Sequence, residues 1–214
     1  MKKWLAMILA LALLMGYALP AMAAYDTIKF GSYEQDNNPN NGKEPIEWLV
    51  LERSGDYAML ISKYCLDAQP YHGVSEDVTW ENSTLRVWLT LVFAPSAFSA
   101  SEQQRIMMAS VPAEENPNSS AYAGNDTEDA VFLLSRNEAK YYFPTDKERR
   151  AKATPYAKAN GAYANDSGQY TWWLRTPGKS NKGALSVYGA GDIRTLAITN
   201  QKATVSPVIW IEIN

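Results

Sequence analysis

The run Trp172-Trp173-Leu174-Arg175-Thr176-Pro177-Gly178 restricts the folds open to this chain more than any other stretch. Two adjacent indoles need a core on at least one side of the backbone, and Pro177-Gly178 closes the run in a turn. Successive side chains of a strand leave on opposite faces. The spacing therefore predicts that one of Trp172 and Trp173 enters the core while the other points outward or lies under a loop. Strand-like stretches follow and end in Val208-Ile209-Trp210-Ile211. The chain is expected to finish as a compact β-rich unit whose loops can present aromatic rings beside an arginine.

The first 23 residues read as a leader. Lys2 and Lys3 form a basic start, Trp4 to Leu14 an apolar stretch, Pro20 a break, and Ala21-Met22-Ala23 a small-x-small cleavage site. That arrangement is a secretory signal peptide, too short and wrongly flanked for a membrane anchor. No cysteine follows the apolar stretch, so a lipid anchor is not indicated. The type of leader points to a bacterium. The protein is expected to be secreted, extracellular or in the cell envelope, as one domain over 24–214. Beyond Ala23 no apolar run is long enough to span a bilayer, so no membrane insertion is expected after cleavage.

The formal charge is −3 at pH 7, and losing Lys2 and Lys3 with the leader makes it −5. An acidic chain without a Lys/Arg block is a poor ligand for nucleic acid or an anionic membrane. The one local basic cluster, Lys147, Arg149, Arg150 and Lys152, is interrupted by Glu148 and reads as a solvated helix face or loop. Cys65, the only cysteine, lies in the apolar Ile61-Ser62-Lys63-Tyr64-Cys65-Leu66 and reads as a buried, inert thiol. His72, the only histidine, reads as a loop residue, and no nucleophile-elbow motif accompanies it.

Strands are expected over 25–33, ending near Gly31, and over 45–52 and 57–63, the last two joined as a hairpin through Ser54-Gly55-Asp56. Helices come next. One runs from Thr84 to Val92 behind a cap at Asn82-Ser83, with Leu85, Trp88, Leu89 and Val92 as its apolar stripe. Ser99-Ala100-Ser101-Glu102 and Ser135-Arg136-Asn137-Glu138 are capping boxes for two more, reaching about Met108 and Phe143. Residues 112–129 form a long polar segment, and Val131 to Leu134 a short buried strand. Thr154-Pro155 starts a helix that Gly161 closes. Further strands are expected near 171–175, 184–188, 192–198 and 204–212, with a hairpin turn at Gly189-Ala190-Gly191-Asp192. The class is α+β, with strands at both ends, helices inserted between them, and the first and last strands free to pair.

An ordered set of motifs then resembles a known family. It comprises Phe30-Gly31-Ser32-Tyr33, Pro45-Ile46-Glu47-Trp48-Leu49-Val50-Leu51, Thr79-Trp80-Glu81-Asn82-Ser83-Thr84-Leu85-Arg86 with Trp88-Leu89, and Asn125-Asp126-Thr127-Glu128-Asp129 before Val131-Phe132-Leu133-Leu134-Ser135. Trp172-Trp173-Leu174-Arg175 and Pro207-Val208-Ile209-Trp210-Ile211 complete it. The set is similar to a widespread bacterial family of exported domains of unknown function. That resemblance implies a C-type-lectin-like fold of small twisted antiparallel sheets, distantly similar to formylglycine-generating (sulfatase-modifying) enzymes and to the variable proteins of diversity-generating retroelements. It implies ligand-binding loops, here 112–129, 161–171, 176–183 and 199–203. Where the family usually places arginine before the last-strand proline, this chain has Ser206.

Two constellations are candidates for ligand contact. Trp172, Trp173 and Arg175 could stack on sugar rings and grip a carboxylate or phosphate; in the competing reading the indoles fill the core and Arg175 orders a loop by bonding carbonyls. Trp48, Trp80, Trp88 and Trp210 read as core, and Arg86 as a bridge to Glu81 or an acidic loop. Asn125, Asp126, Glu128 and Asp129 concentrate oxygen ligands suited to calcium, against a reading as a solvated acidic loop. No other cofactor is indicated. Formylglycine chemistry draws on a pair of thiols, and this chain has one. A glycosidase needs two placed carboxylates; Glu114, Glu115, Asp126, Glu128 and Asp129 qualify by number only. The expected role is non-catalytic binding of an extracellular glycan, cell-wall fragment or protein. The alternatives are a divergent formylglycine-generating-type enzyme and a structural or adhesive envelope module.

Overall fold

The computed structural model describes residues 25–213; the expected signal peptide, 1–23, lies outside the described residues. β1 (Thr27–Tyr33), β2 (Glu44–Ser54), β3 (Tyr57–Ser62) and β11 (Val208–Glu212) form an antiparallel sheet in the order β1-β2-β3-β11. The hairpin through Gly55-Asp56 sets Ser54 opposite Tyr57, as the turn chemistry predicts. The first and last strands do not pair. They form the two edges of this sheet, because β11 takes the free side of β3 with Ile209 opposite Leu60.

β1 does not stop at Gly31. A bulge between Lys29 and Ser32 lets it continue, with Gly31 at φ 67°. A Cβ there would lie 2.5 Å from the Phe98 ring and 2.6 Å from the Ala97 carbonyl oxygen, so only glycine fits. Phe98 also meets Phe30, Trp48 and Phe93, with ring centroids 5.4–6.2 Å apart.

The second sheet runs β4-β10-β7-β8-β9: β4 (Asp67–Ala68), β10 (Thr204–Val205), β7 (Trp172–Pro177), β8 (Gly183–Val187) and β9 (Ile193–Ala197). Its pairings are antiparallel except β10 with β7, which is parallel. The single strand expected over 204–212 is thus two. Pro207 interrupts the ladder, and the chain passes from one sheet to the other there. The switch locks both sheets to a shared core that includes Trp48, Leu60, Trp173, Leu174 and Ile209. Cys65 is fully buried at the same junction. Burial pushes its thiol up, and Ser206 donates to its Sγ over 3.3 Å.

α1 (Thr84–Trp88) starts at Ser83, whose hydroxyl accepts from the Arg86 amide at 3.1 Å; the cap is Ser83 and not Asn82. A π-helical turn, Leu89–Phe93, follows, and then α2 (Ala94–Ala97). The wider π turn shifts the inward face by one residue, so Phe93 is buried while Val92, assigned to the core by a 3.6-residue period, is 52% exposed. α3 (Ala100–Arg105) and α4 (Arg136–Tyr142) begin at the two expected capping boxes. α5 (Asp146–Arg149) has a third, Thr145 with Glu148, and α6 (Pro155–Ala159) has Thr154 as cap. β5 (Ala109–Val111) and β6 (Thr127–Asp129) form a small ribbon. Residues 131–134 are buried, joined to β11 by a single bridge at Phe132–Val208 rather than by a full strand.

Three buried phenols predict alkaline behaviour. Burial pushes Tyr33, Tyr71 and Tyr142 up, and the carboxylates of Asp67 and Glu52 add to this at Tyr33 and Tyr142, each accepting the phenol proton at 2.6 Å. The unfolded chain releases these protons near pH 10 while the folded one holds them. Stability is therefore full below pH 10 and falls above it, by up to about 1.4 kcal/mol per pH unit for each phenol. Thermal melts should be flat from pH 7 to 9 and drop steeply beyond 10, with tyrosinate absorbance at these sites appearing only on unfolding. Free titration of all tyrosines near pH 10 in the folded protein would contradict this.

Candidate functional site

β7 sits inside its sheet and is covered on both faces. Trp172, Trp173 and Arg175 are all buried: neither indole points outward, Trp172 lies under the segment that carries Arg149, and the burial fits the competing reading in which the indoles fill the core. Trp172 Nε1 donates to the Arg149 carbonyl at 3.0 Å on one side; Trp173 Nε1 donates to the Gln69 carbonyl at 2.8 Å on the other, edge-on to Tyr71. Neither ring is open to a ligand. Arg175, 4% exposed, donates to the Leu133 carbonyl at 2.8 Å and forks onto both oxygens of Glu138. Glu138 is the capping-box glutamate of α4, and its carboxylate also accepts the Ser135 amide. These three residues build the scaffold and not a recognition surface.

The acidic segment is likewise dispersed. Asn125 turns to Glu81, and Asp126 accepts the Ala113 amide at 2.8 Å. The buried Asp129 carboxylate takes Arg86 Nε at 2.6 Å, Trp80 Nε1 at 2.9 Å and Thr127 Oγ1 at 2.6 Å. Strand alternation sends Glu128 to the opposite, exposed face of β6. Asn125, Asp126, Glu128 and Asp129 are thus not gathered into a calcium cage. The predicted bridge from Arg86 does form, to Asp129 and to the Glu81 carbonyl. Among the described residues the convergent acidic group is a different one, Glu34, Asp36 and Glu44, with oxygens within 4.8 Å of one another. The loop's own groups occupy them: the Asn38 amide bonds Glu34 and Asp36, the Gln35 amide bonds Glu44, and the Asn41 side chain bonds Asp36.

Other candidates are spent on structure too. Glu114 accepts from Ser135, Thr176 and the Asn137 amide, holding the start of α4. His72 is on a loop as expected, but buried; its Nδ1 accepts the Thr84 amide at 3.2 Å and its Nε2 meets Glu76. In the basic cluster Lys147, Arg150 and Lys152 are exposed, as expected of a solvated face, and Arg149 alone turns inward. Arg149, 6% exposed, bonds the Phe143 and Gly191 carbonyls at 2.6 and 2.8 Å and pairs with Asp146. α5 packs so tightly on the β8–β9 turn that a Cβ at Gly191 would overlap the Asp146 carbonyl.

That packing leaves an open cleft of about 700 Å³ beside β8 and β9. Leu185 and Ile193 form its apolar part, Asn116 and Asn118 one rim. Arg136 and Lys140 of α4 line it, with Arg149 and Asp146 of α5, Asp192, Arg194 and Thr195 of the hairpin, and Lys179. Both acids are already paired, Asp146 with Arg149 and Asp192 with Arg194. Arg136, Lys140 and Lys179 have no carboxylate within 4.0 Å among the described residues. The Lys140 ammonium is pushed down, first by partial desolvation and then by Arg136 and Arg149. The sequence reading missed this site because its cations come from segments 40 residues apart.

The fold and cleft together define an α+β domain with two linked sheets and a cationic recess at the edge of the second. The sequence profile of the domain-of-unknown-function family DUF6273 matches residues 55–213, and the chain belongs to that family. No curated protein and no solved structure matches it.

Arg86→Ala should destabilise the fold by about 3 kcal/mol in urea denaturation, because it strands the Asp129 carboxylate inside. Millimolar calcium should leave the melting temperature of the wild-type protein unchanged; an upward shift would restore the metal reading of Asn125–Asp129.

Proposed function

We propose that this is an exported bacterial binding domain with a C-type-lectin-like scaffold, and that it takes an extracellular ligand, a glycan or cell-wall fragment, in the cleft beside β8 and β9. One observation carries the reading: among the described residues the cleft offers the cations Arg136, Lys140 and Lys179, which have no carboxylate partner, and the exposed Asn118 amide over an aliphatic base, and no acid–base or nucleophilic set. Its two carboxylates are held in ion pairs, and Cys65 and His72 are buried elsewhere. A site with donors to spare and no reacting group suits recognition rather than turnover. The leader-like start of the chain and the sequence resemblance support export and the lectin-like scaffold.

A second reading, an adhesive envelope module, draws on Val87, Leu91 and Val92, which are 49%, 68% and 52% exposed on one helical segment. It would place contact on that segment and not in the cleft.

Asn118 is exposed on the rim, and its side chain is not needed by the fold. Asn118→Trp should close the cleft without altering charge. Purified protein should bind one or more members of a panel of bacterial polysaccharides and cell-wall fragments, equally in calcium and in chelator, and Asn118→Trp should abolish that binding at unchanged melting temperature. Binding that survives Asn118→Trp but is lost in Leu91→Lys would move the function to the helical segment.

A further inference from the structure

We infer that the ligand of this cleft is an anionic glycopolymer, held through at least two successive negative groups of the chain; the inference rests on the cleft being the binding site. The unpaired cations come in two sets from different elements. Arg136 and Lys140 are four residues apart on α4, so they project from one helix face with Cβ atoms about 6 Å apart. Lys179 comes from the turn between β7 and β8, where its amide donates to Thr195 Oγ1 at 3.0 Å next to Arg194. A single small anion meets one set. A chain with repeated anions meets both.

Charge arithmetic favours the same class. Five cations and two acids line the cleft, a surplus of three, in a chain whose remainder is acidic. A recess of one sign inside a surface of the other concentrates field at the recess and repels a polyanion beyond it. Recognition is therefore confined to the few repeats that fit, and longer chains gain nothing further. The aliphatic base, Leu185 and Ile193, accepts the apolar face of a sugar or polyol. Among the described residues no aromatic side chain lines the cleft to stack a base, which disfavours single-stranded nucleic acid. Lysines and an arginine serve carboxylate and phosphodiester alike, so the shared chemistry is a regularly spaced anion on a polyhydroxy backbone.

The test is a binding ladder. Galacturonate oligomers of one to six units supply carboxylates and glycerol-phosphate oligomers supply phosphodiesters; neutral malto-oligomers and a single-stranded oligonucleotide are controls. Affinity should rise from one to about three anionic units and then level off, fall with added salt, and be absent for the neutral ladder. Whichever anionic ladder binds more tightly identifies the source. Lys140→Gln and Lys179→Gln should each weaken binding about tenfold, the loss of one charge-assisted bond, with melting temperature unchanged. Equal affinity for monomer and oligomer, binding of the neutral ladder, or oligonucleotide binding as tight as that of the anionic ladders would each overturn the inference. If Asn118→Trp abolishes binding while the lysine variants and chain length have no effect, the cleft stands as the site and only the ligand class falls.

Discussion

The fork between Arg175 and Glu138 is the contact on which the arrangement around the cleft depends. A guanidinium taken almost fully out of water is costly unless its donors are met. Here they are met by Glu138 and by the carbonyls of Leu133 and, more distantly, Pro112. One side chain thus ties β7 to the start of α4, to the 131–134 segment and to the strand exit at 112. The Arg175 amide and carbonyl extend the tie, through the Leu134 carbonyl and the Tyr71 hydroxyl. Because Glu138 also caps α4, the helix that carries Arg136 and Lys140 has its position fixed by the same carboxylate that neutralises the buried arginine.

The β8–β9 side of the cleft depends on a second buried arginine. Arg149 reaches through α5 to the Gly191 carbonyl, and its own carbonyl takes the Trp172 indole proton. The β8–β9 hairpin is therefore braced from outside its sheet, and β9 can be an edge strand without drifting. The two arginines do the same job in different ways. Arg175 holds a helix to the inside of a sheet, and Arg149 holds a turn to a helix. Neither is a surface charge, although the charged stretch around Arg149 has a composition that suggests surface.

Local chemistry was legible in the sequence. Capping boxes at Ser99 and Ser135, the Thr154 cap and the hairpin at Gly55 are each decided within a few residues, and they were read correctly. What failed depended on distant partners. Alternation along Trp172-Trp173 sends the two indoles to opposite faces but does not say that both faces are covered, and the segments covering them lie more than 20 and 100 residues away. The split at Pro207 could have been suspected from proline in a strand, but not which sheet each half would join. The π turn displaced Val92 for a reason no period count contains. The cleft was illegible because no single segment supplies more than two of its cations.

An acidic chain that brings three unpaired cations to one recess has arranged them against electrostatic preference. Like charges disfavour one another, and the proton affinity of Lys140 is lowered first by partial desolvation and then by Arg136 and Arg149. Two acids are at hand, yet each is committed to an arginine and positioned to shape the walls. Turning either toward the free cations would release Arg149 or Arg194 instead, so the surplus cannot be cancelled from within. Exposure to water keeps the repulsion small, which is why the fold tolerates it. An anionic ligand bound there would remove it and, by favouring the folded form, would return the difference as stability. The recess is thus complete as a structure and incomplete as an electrostatic system, and what it lacks is negative charge.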